Sequence, residues 1–394
     1  MELRALPGVG VEVLGMSAAA ISRLDADSPV LNALSVALRE HSLLWLHASE
    51  DTESSMSPQL LRDLYGKLHT ATFPQVPCVL PPDKPLPPSA GGNLRGRCFP
   101  GFPETNVLGH AETVADWHGL SGWLTPTAWW EEARGQWHHD GGFSASAPPP
   151  PALVAMHSEE APTVEGGGTP TTLDYTDART AVRTQLLCPP GATLFYSTRK
   201  ALQLSSPEMV ARARRLRCCY SEGFGRVQIG EYPRLSDSFL TPLNPPPEAR
   251  SIEQRVRRQS IPEFESFETL AFGSKGDGPR SDAFYRHRLV QKNAIGHEYA
   301  VVHTVCLDHL EEIDEDGVWR SISWTASQDF LEALLAPAAT PPHLQLVDWR
   351  PGDWIIFDNF ATQHTVTATN AYTSSGCRRL MTRTDFQPTT DVLT

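Results

Sequence analysis

Cysteine is sparse in this chain and poorly placed for any framework. Cys78, Cys98, Cys188, Cys218, Cys219, Cys306 and Cys377 are odd in number, scattered, and never spaced as Cys-x-x-Cys. That argues against a disulfide scaffold and against a zinc site built from cysteines, and it reads as reduced thiols in the cytoplasm. Positive charge is also short. Lysine and arginine number 33 against 46 acidic residues, a formal net charge of -13. Such a surface repels phosphate backbones and anionic lipid, so neither nucleic acid nor membrane is expected as a partner. No stretch reaches the roughly 18 uncharged apolar residues of a membrane span, and the opening MELRALPGVGVEVLGM lacks the basic-then-apolar pattern of an export signal. No internal repeat is visible, and nothing resembles a linker between two cores. We read one domain over residues 1–394, with core strands at about 130–180 and 340–390 and a lid or insert at 225–340.

What is present is a chain with 40% apolar residues, ample for a large core. Residues 31–40, LNALSVALRE, carry apolar positions at helical spacing, and Leu60, Leu61, Leu64 and Leu68 predict a second helix weakened near its end by Gly66. Leu43 to Leu46 form a short strand-like run between them. The proline-rich stretch 80–92 must be loop. A strand is expected at Ala152–His157, then a glycine turn at Gly166–Gly168. The last 50 or so residues alternate β-type runs (Leu344–Trp349, Trp354–Phe357, Thr365–Thr369, Arg379–Thr384) with turns such as Pro351-Gly352-Asp353. Many short strands separated by turn signals indicate an antiparallel sandwich or barrel. Trp129-Trp130 and Cys218-Cys219 read as packed core, and Arg255-Val256-Arg257-Arg258 as a solvated helix face.

One short segment carries chemistry. At 137–143 the chain reads Trp-His-His-Asp-Gly-Gly-Phe. On a strand, residues i and i+2 share a face, so His138 and Asp140 converge while His139 points away. Two histidines and one carboxylate on one face of a metal leave the opposite positions open for co-substrate and oxygen. The distant His364, in Asp358-Asn359-Phe360-Ala361-Thr362-Gln363-His364, can supply the missing ligand. His-x-acid pairs also occur at His110–Glu112, His157–Glu159 and His309–Glu311, so the pattern alone is not decisive. Arg379 and Arg383, four apart on one strand, share a face, and a guanidinium there suits fork-like pairing with a carboxylate. The bland alternative is an exposed edge strand.

At these residues the chain resembles the taurine dioxygenase/2,4-D dioxygenase (TauD/TfdA) superfamily. The resemblance rests on WHHDGGF at 137–143, MHSEEAPTVEGGGTP at 156–170, DNFATQH at 358–364 and RRLMTR at 378–383, in the family's order, together with the opening VEVLGM…VALREHSLLWLH…LYGKLH. It implies a mostly β fold with flanking helices, a double-stranded β-helix or jelly roll. It also implies a dioxygenase that uses Fe(II), 2-oxoglutarate and O2 to hydroxylate an unactivated carbon of a small molecule, releasing succinate and CO2. His138, Asp140 and His364 then match the iron ligands. Arg379 matches the anchor for the far carboxylate of 2-oxoglutarate, and Thr169 a hydroxyl that helps hold it. Arg383 matches an arginine near the keto-acid end or an anionic group of the substrate. Residues 225–300 depart from the family's pattern, which leaves the substrate open, and the stretch after Thr169 is one residue longer than usual. Two rivals stay open: a non-oxidative metal lyase or isomerase on the same barrel, which would not need Arg379, and a catalytically silent binding protein of the same fold.

Overall fold

A computed structural model of the chain describes residues 1–47, 57–80, 92–94, 97–124, 137–141, 149–168, 170–176, 183–221, 284–304, 307–367 and 378–388. Its centre is two facing sheets. The larger, ten-stranded sheet runs Glu2–Ala5, Val11–Leu14, Leu43–Leu46, Trp354–Asp358, Leu153–Glu160, Arg379–Thr384, Phe102–Trp117, Leu120–Leu124, Gly92–Asn93, with Cys98–Phe99 paired to Phe102–Trp117. The smaller sheet is Gln345–Val347, Thr193–Ser197 and Thr362–Val366. Neighbours in these sheets come from distant parts of the chain and are mostly antiparallel. That is the double-stranded β-helix, or jelly roll, with helices on one flank.

Alternation along the strands sorts side chains to two sides. Val154, Met156, Ile355, Phe357 and Met381 of the large sheet meet Phe195 and Val347 of the small one inside the barrel. Leu153, Ala155, Trp354 and Ile356 point the other way, into the main core shared with the helices. This opposite sorting follows from the two-residue period of a pleated strand.

The helices sit where the pattern placed them. Ser28 caps Pro29–His41 and Ser57 caps Pro58–Thr72, each followed by proline at the first position, where a missing N–H costs nothing. Leu31, Leu34 and Leu38 of the first and Leu61, Leu64 and Leu68 of the second are buried against the large sheet. Tyr65 ties the second helix down: its hydroxyl donates to Leu153 O (2.6 Å) and accepts from Phe386 N (3.1 Å). Gly66 does not end that helix, which runs on to Thr72. A Cβ at Gly66 would lie 3.4 Å from the Phe386 ring, an ordinary contact, so packing there does not require a glycine.

Residues 284–340, expected as lid or insert, are built into the core where they are described. Phe284–Arg288 and His309–Ile313 flank Leu216–Ser221 in a separate sheet. Leu289, Val301, Val302, Leu310 and Leu331 join the main apolar cluster. The rest of the expected lid or insert, 225–283, lies outside the described residues, as do Trp129-Trp130 and the basic run 255–258. Cys218 and Cys219 are both buried strand residues.

Two histidines in this core are held neutral. Burial lowers His69 to about 4 and His157 to about 3. His157 packs on the Trp354 ring at 4.9 Å, and among the described residues neither of its nitrogens has a hydrogen-bond partner. In the unfolded chain both titrate near 6.5. Between these values the unfolded state binds more protons, so stability falls as pH drops below about 6.5. At pH 5 each ring is expected to cost about 2 kcal/mol relative to neutral pH. Urea unfolding of His157→Leu at pH 7 and pH 5 should show a pH-dependent loss smaller by that amount. An unchanged pH dependence would mean that the ring is protonated in the fold.

Candidate metal centre

The backbone brings the two distant histidines together. His138 and His364 form an isolated antiparallel bridge, with N–H to O bonds of 3.1 Å in both directions. His364 lies on the small-sheet strand Thr362–Val366, opposite Phe195. The segment holding His138 is not a full strand, because Asp140 and Gly141 bend away. Gly141 has φ +108, and a side chain there would collide with Pro150 and Pro151. The bend still leaves Asp140 on the same side as His138, and the donor atoms of His138, Asp140 and His364 lie within 4.8 Å of one another. That is close to the span that two metal–ligand bonds of about 2.1 Å can bridge.

Asp140 is fastened from several directions. The Asn359 side chain clamps its backbone, accepting from Asp140 N (2.8 Å) and donating to Asp140 O (2.8 Å) and Pro151 O (2.8 Å). Asn359 itself sits in a turn made by Asp358, whose carboxylate accepts from Phe360 N and Ala361 N at 3.0 and 3.1 Å. Oδ1 of Asp140 accepts from Arg383 Nη1 at 2.9 Å. Oδ2 is buried without a hydrogen-bond partner among the described residues, 3.7 Å from His364 Nε2. A buried carboxylate costs several kcal/mol unless charges around it compensate. Burial pushes the Asp140 carboxyl up, but Arg383 and the neighbouring histidines outweigh it and hold the group well below the usual range. Burial holds His364 down at about 3, so its ring is neutral and able to ligate. Two imidazoles and an ionised carboxylate are a donor set that fits a divalent metal.

His139 faces away from this cluster. Its Nδ1 donates to Asn359 O and its Nε2 accepts from Val302 N (3.5 Å), which makes it a buried, hydrogen-bonded core histidine. His157 lies on the helix side of the large sheet.

Arg379 and Arg383 lie on Arg379–Thr384, an interior strand between Leu153–Glu160 and Phe102–Trp117, not an exposed edge. With Met381 between them they share the face that looks into the barrel. Arg379 is buried opposite His110, and Gly109 lets the two strands close up there: φ is +119, and a Cβ would overlap Arg379 O. Arg383 makes a second ion pair, 3.0 Å from Nε to Asp385 Oδ2. Burial alone would lower its pKa; Asp140 and Asp385 raise it above the ordinary value. With two carboxylates beside it, Arg383 needs no anionic substrate to balance its charge, so that ground for an anionic substrate falls away. Thr169 lies outside the described residues, between Gly168 and Pro170.

Two residues near the centre escaped the sequence reading. Asn359 lies inside a quoted motif, where an Asp-Asn turn just ahead of a ligand strand was a usable signal. His303 gave none: it reaches the site from the distant segment 301–304, and its ring centroid lies 5.9 Å from that of His138.

Comparison with known proteins gives the family and the fold. The sequence profile of the taurine catabolism dioxygenase TauD, TfdA family matches residues 124–384, from the last residue of Leu120–Leu124 to the last of the arginine strand. No curated protein sequence matches the chain. Solved structures share its fold. A taurine dioxygenase from Burkholderia xenovorans superposes with a TM-score of 0.55 at 13% identity, covering 98% of this chain and 89% of that one. A protein called AAD-2, in complex with Mn(II) and N-oxalylglycine, does so with a TM-score of 0.55 at 13% identity, covering 100% and 99%. The chain therefore belongs to the TauD/TfdA family of iron(II)- and 2-oxoglutarate-dependent dioxygenases.

Proposed function

We propose that the protein hydroxylates an unactivated carbon of a small molecule, with His138, Asp140 and His364 as the iron ligands. The observation that carries this reading is the divided carboxylate of Asp140: one oxygen is held by Arg383, and the other is buried, without a hydrogen-bond partner among the described residues, and 3.7 Å from His364 Nε2. Bound iron(II), with 2-oxoglutarate and O2, supplies the oxidising chemistry and releases succinate and CO2. The chain's own residues do the rest. The His138–His364 bridge fixes the angle between the two imidazoles, and Asn359 fixes the backbone that presents Asp140. Arg383 keeps Asp140 ionised and turned, as a hydrogen bond to a ligand's far atom does in metal sites generally. Arg379 pairs with the far carboxylate of 2-oxoglutarate, helped by Thr169. Met156, Met381, Phe195 and Phe357 line the barrel behind the ligands and exclude water. We place the enzyme in a reducing, cytoplasm-like compartment because its seven cysteines are odd in number and scattered along the sequence.

The test is anaerobic addition of Fe(II) and 2-oxoglutarate to the metal-free protein. A visible charge-transfer band is expected, saturating at one equivalent of each. With no band, the reading as a 2-oxoglutarate enzyme fails and a non-oxidative metal enzyme takes its place.

A further inference from the structure

A second convergence of metal-binding side chains lies in the separate sheet. Leu216–Ser221 runs antiparallel to His309–Ile313, with Cys219 opposite His309 and Arg217 opposite Glu311. On its other side Leu216–Ser221 pairs with Phe284–Arg288, where Arg286 stands opposite Cys219. Cross-strand neighbours and residues two apart share a sheet face, so Cys219, His309 and Glu311 form one polar cluster. Cys218, Tyr220 and Leu310 take the other face and enter the main core. The three donor atoms lie within 4.8 Å of one another, the same bound as for His138, Asp140 and His364.

The surroundings repeat the design of that first centre. The Asp308 carboxylate sits 2.7 Å from His309 Nδ1 and so fixes the ring's tautomer and direction. The other nitrogen, Nε2, lies 3.6 Å from Glu311 Oε1. A histidine steered by a carboxylate on its far nitrogen is the usual support for a metal-ligating imidazole. Glu311 is divided as Asp140 is: Arg217 Nε holds Oε2, while Oε1 faces the histidine. Arg217 is itself packed over the Trp319 ring at 4.2 Å, and Arg286 Nε lies 3.5 Å from Glu311 Oε2. An ion pair between Glu311 and the arginines accounts for one carboxylate oxygen. The Cys219 thiol, hydrogen-bonded to the same carboxylate, and the oriented His309 imidazole complete a three-donor cluster around Glu311.

We propose that Cys219, His309 and Glu311 form a second metal site, one that takes a borderline divalent cation of the zinc class. Sulfur, imidazole nitrogen and carboxylate oxygen together suit that class and disfavour calcium or magnesium, which take oxygen alone. With three protein donors, the fourth tetrahedral position is left to water or an added ligand. Cysteine ligates as the thiolate, so metal binding at this cluster releases the thiol proton. The spacing of cysteines along the chain gave no hint of this, because one thiol from one strand meets two ligands from another.

The full-length metal-free protein, titrated anaerobically with Co(II), tests the proposal. The centre at His138, Asp140 and His364 contains no sulfur, so a near-ultraviolet thiolate-to-cobalt charge-transfer band reports only ligation by cysteine. Such a band is expected in the wild-type protein, saturating at one equivalent bound with cysteine and displaced by Zn(II). It should persist in His138→Ala and vanish in Cys219→Ser, with circular dichroism confirming that each variant is folded. Asp308→Asn should keep the band but weaken the apparent affinity on the order of tenfold to a hundredfold. Absence of the band in the wild-type protein overturns the proposal whatever the variants do, and so does a band that survives Cys219→Ser.

Discussion

Alanine at His138, Asp140 or His364 is expected to abolish iron-dependent turnover while leaving the protein folded. Three protein ligands hold the proposed ion, and losing one removes a bond and, at Asp140, the charge that offsets the metal. Loss of a mere supporting hydrogen bond to a ligand already costs about tenfold to a hundredfold in affinity, so direct ligand loss should exceed that. The control is His139→Ala. His139 sits one residue from two of the ligands, yet its ring is spent on Asn359 O and Val302 N. Removing it should leave iron bound but cost about 2–4 kcal/mol of stability, from an emptied core site and buried polar groups left unpaired. Iron content after dialysis, read beside urea unfolding, separates the two effects. If His139→Ala lost iron and His138→Ala kept it, the assignment of faces would be wrong. Asp140→Ala carries a second cost, because it also takes one of two partner carboxylates from the half-buried Arg383.

Arg379→Ala should raise the dissociation constant for 2-oxoglutarate about thirtyfold to several-thousandfold. That range corresponds to the roughly 2–5 kcal/mol lost when one member of a buried charge pair is removed. Arg379 is buried on an interior strand and shares the barrel-facing side with Arg383, about 13 Å along if strands rise ~3.3 Å per residue. Arg383 is committed to Asp140 and Asp385, and the proposal gives the distal carboxylate to Arg379, which the family resemblance matches to that anchor. Arg379→Lys keeps the charge and loses the two-pronged geometry, so an intermediate loss is expected. Anaerobic titration of the iron-loaded protein with 2-oxoglutarate, followed by the visible band, measures all three. Equal affinity in wild type and Arg379→Ala would sink the assignment.

Much of this was legible in the amino-acid order, and the rest was hidden for identifiable reasons. Leu31, Leu34 and Leu38 declare a helix because its period survives intact in the sequence, as do the caps Ser28 and Ser57. Leu43–Leu46 and Trp354–Asp358 were visible as short apolar runs buried on both faces. Phe102–Trp117, the longest strand among the described residues, was not. Its buried positions Ala111, Val114 and Trp117 fall every third residue, because register shifts against Leu120–Leu124 break the two-residue alternation.

The same division holds for the sites. Local order alone put His138 and Asp140 on one side and His139 on the other, since that follows from backbone periodicity within three residues. The family resemblance added His364 and the arginines. Only the tertiary structure decided which charges meet: that Arg383 binds Asp140 and Asp385, that Asn359 clamps the Asp140 backbone, and that His303 lies beside His138. Only it brought Cys219 to His309 and Glu311, across strands far apart in sequence. The physical reason is common to all of these. Periodicity and turn chemistry act over a few residues and are written in the sequence, whereas ion pairing and ligand convergence depend on strand register between remote segments, which the packing of the whole barrel sets.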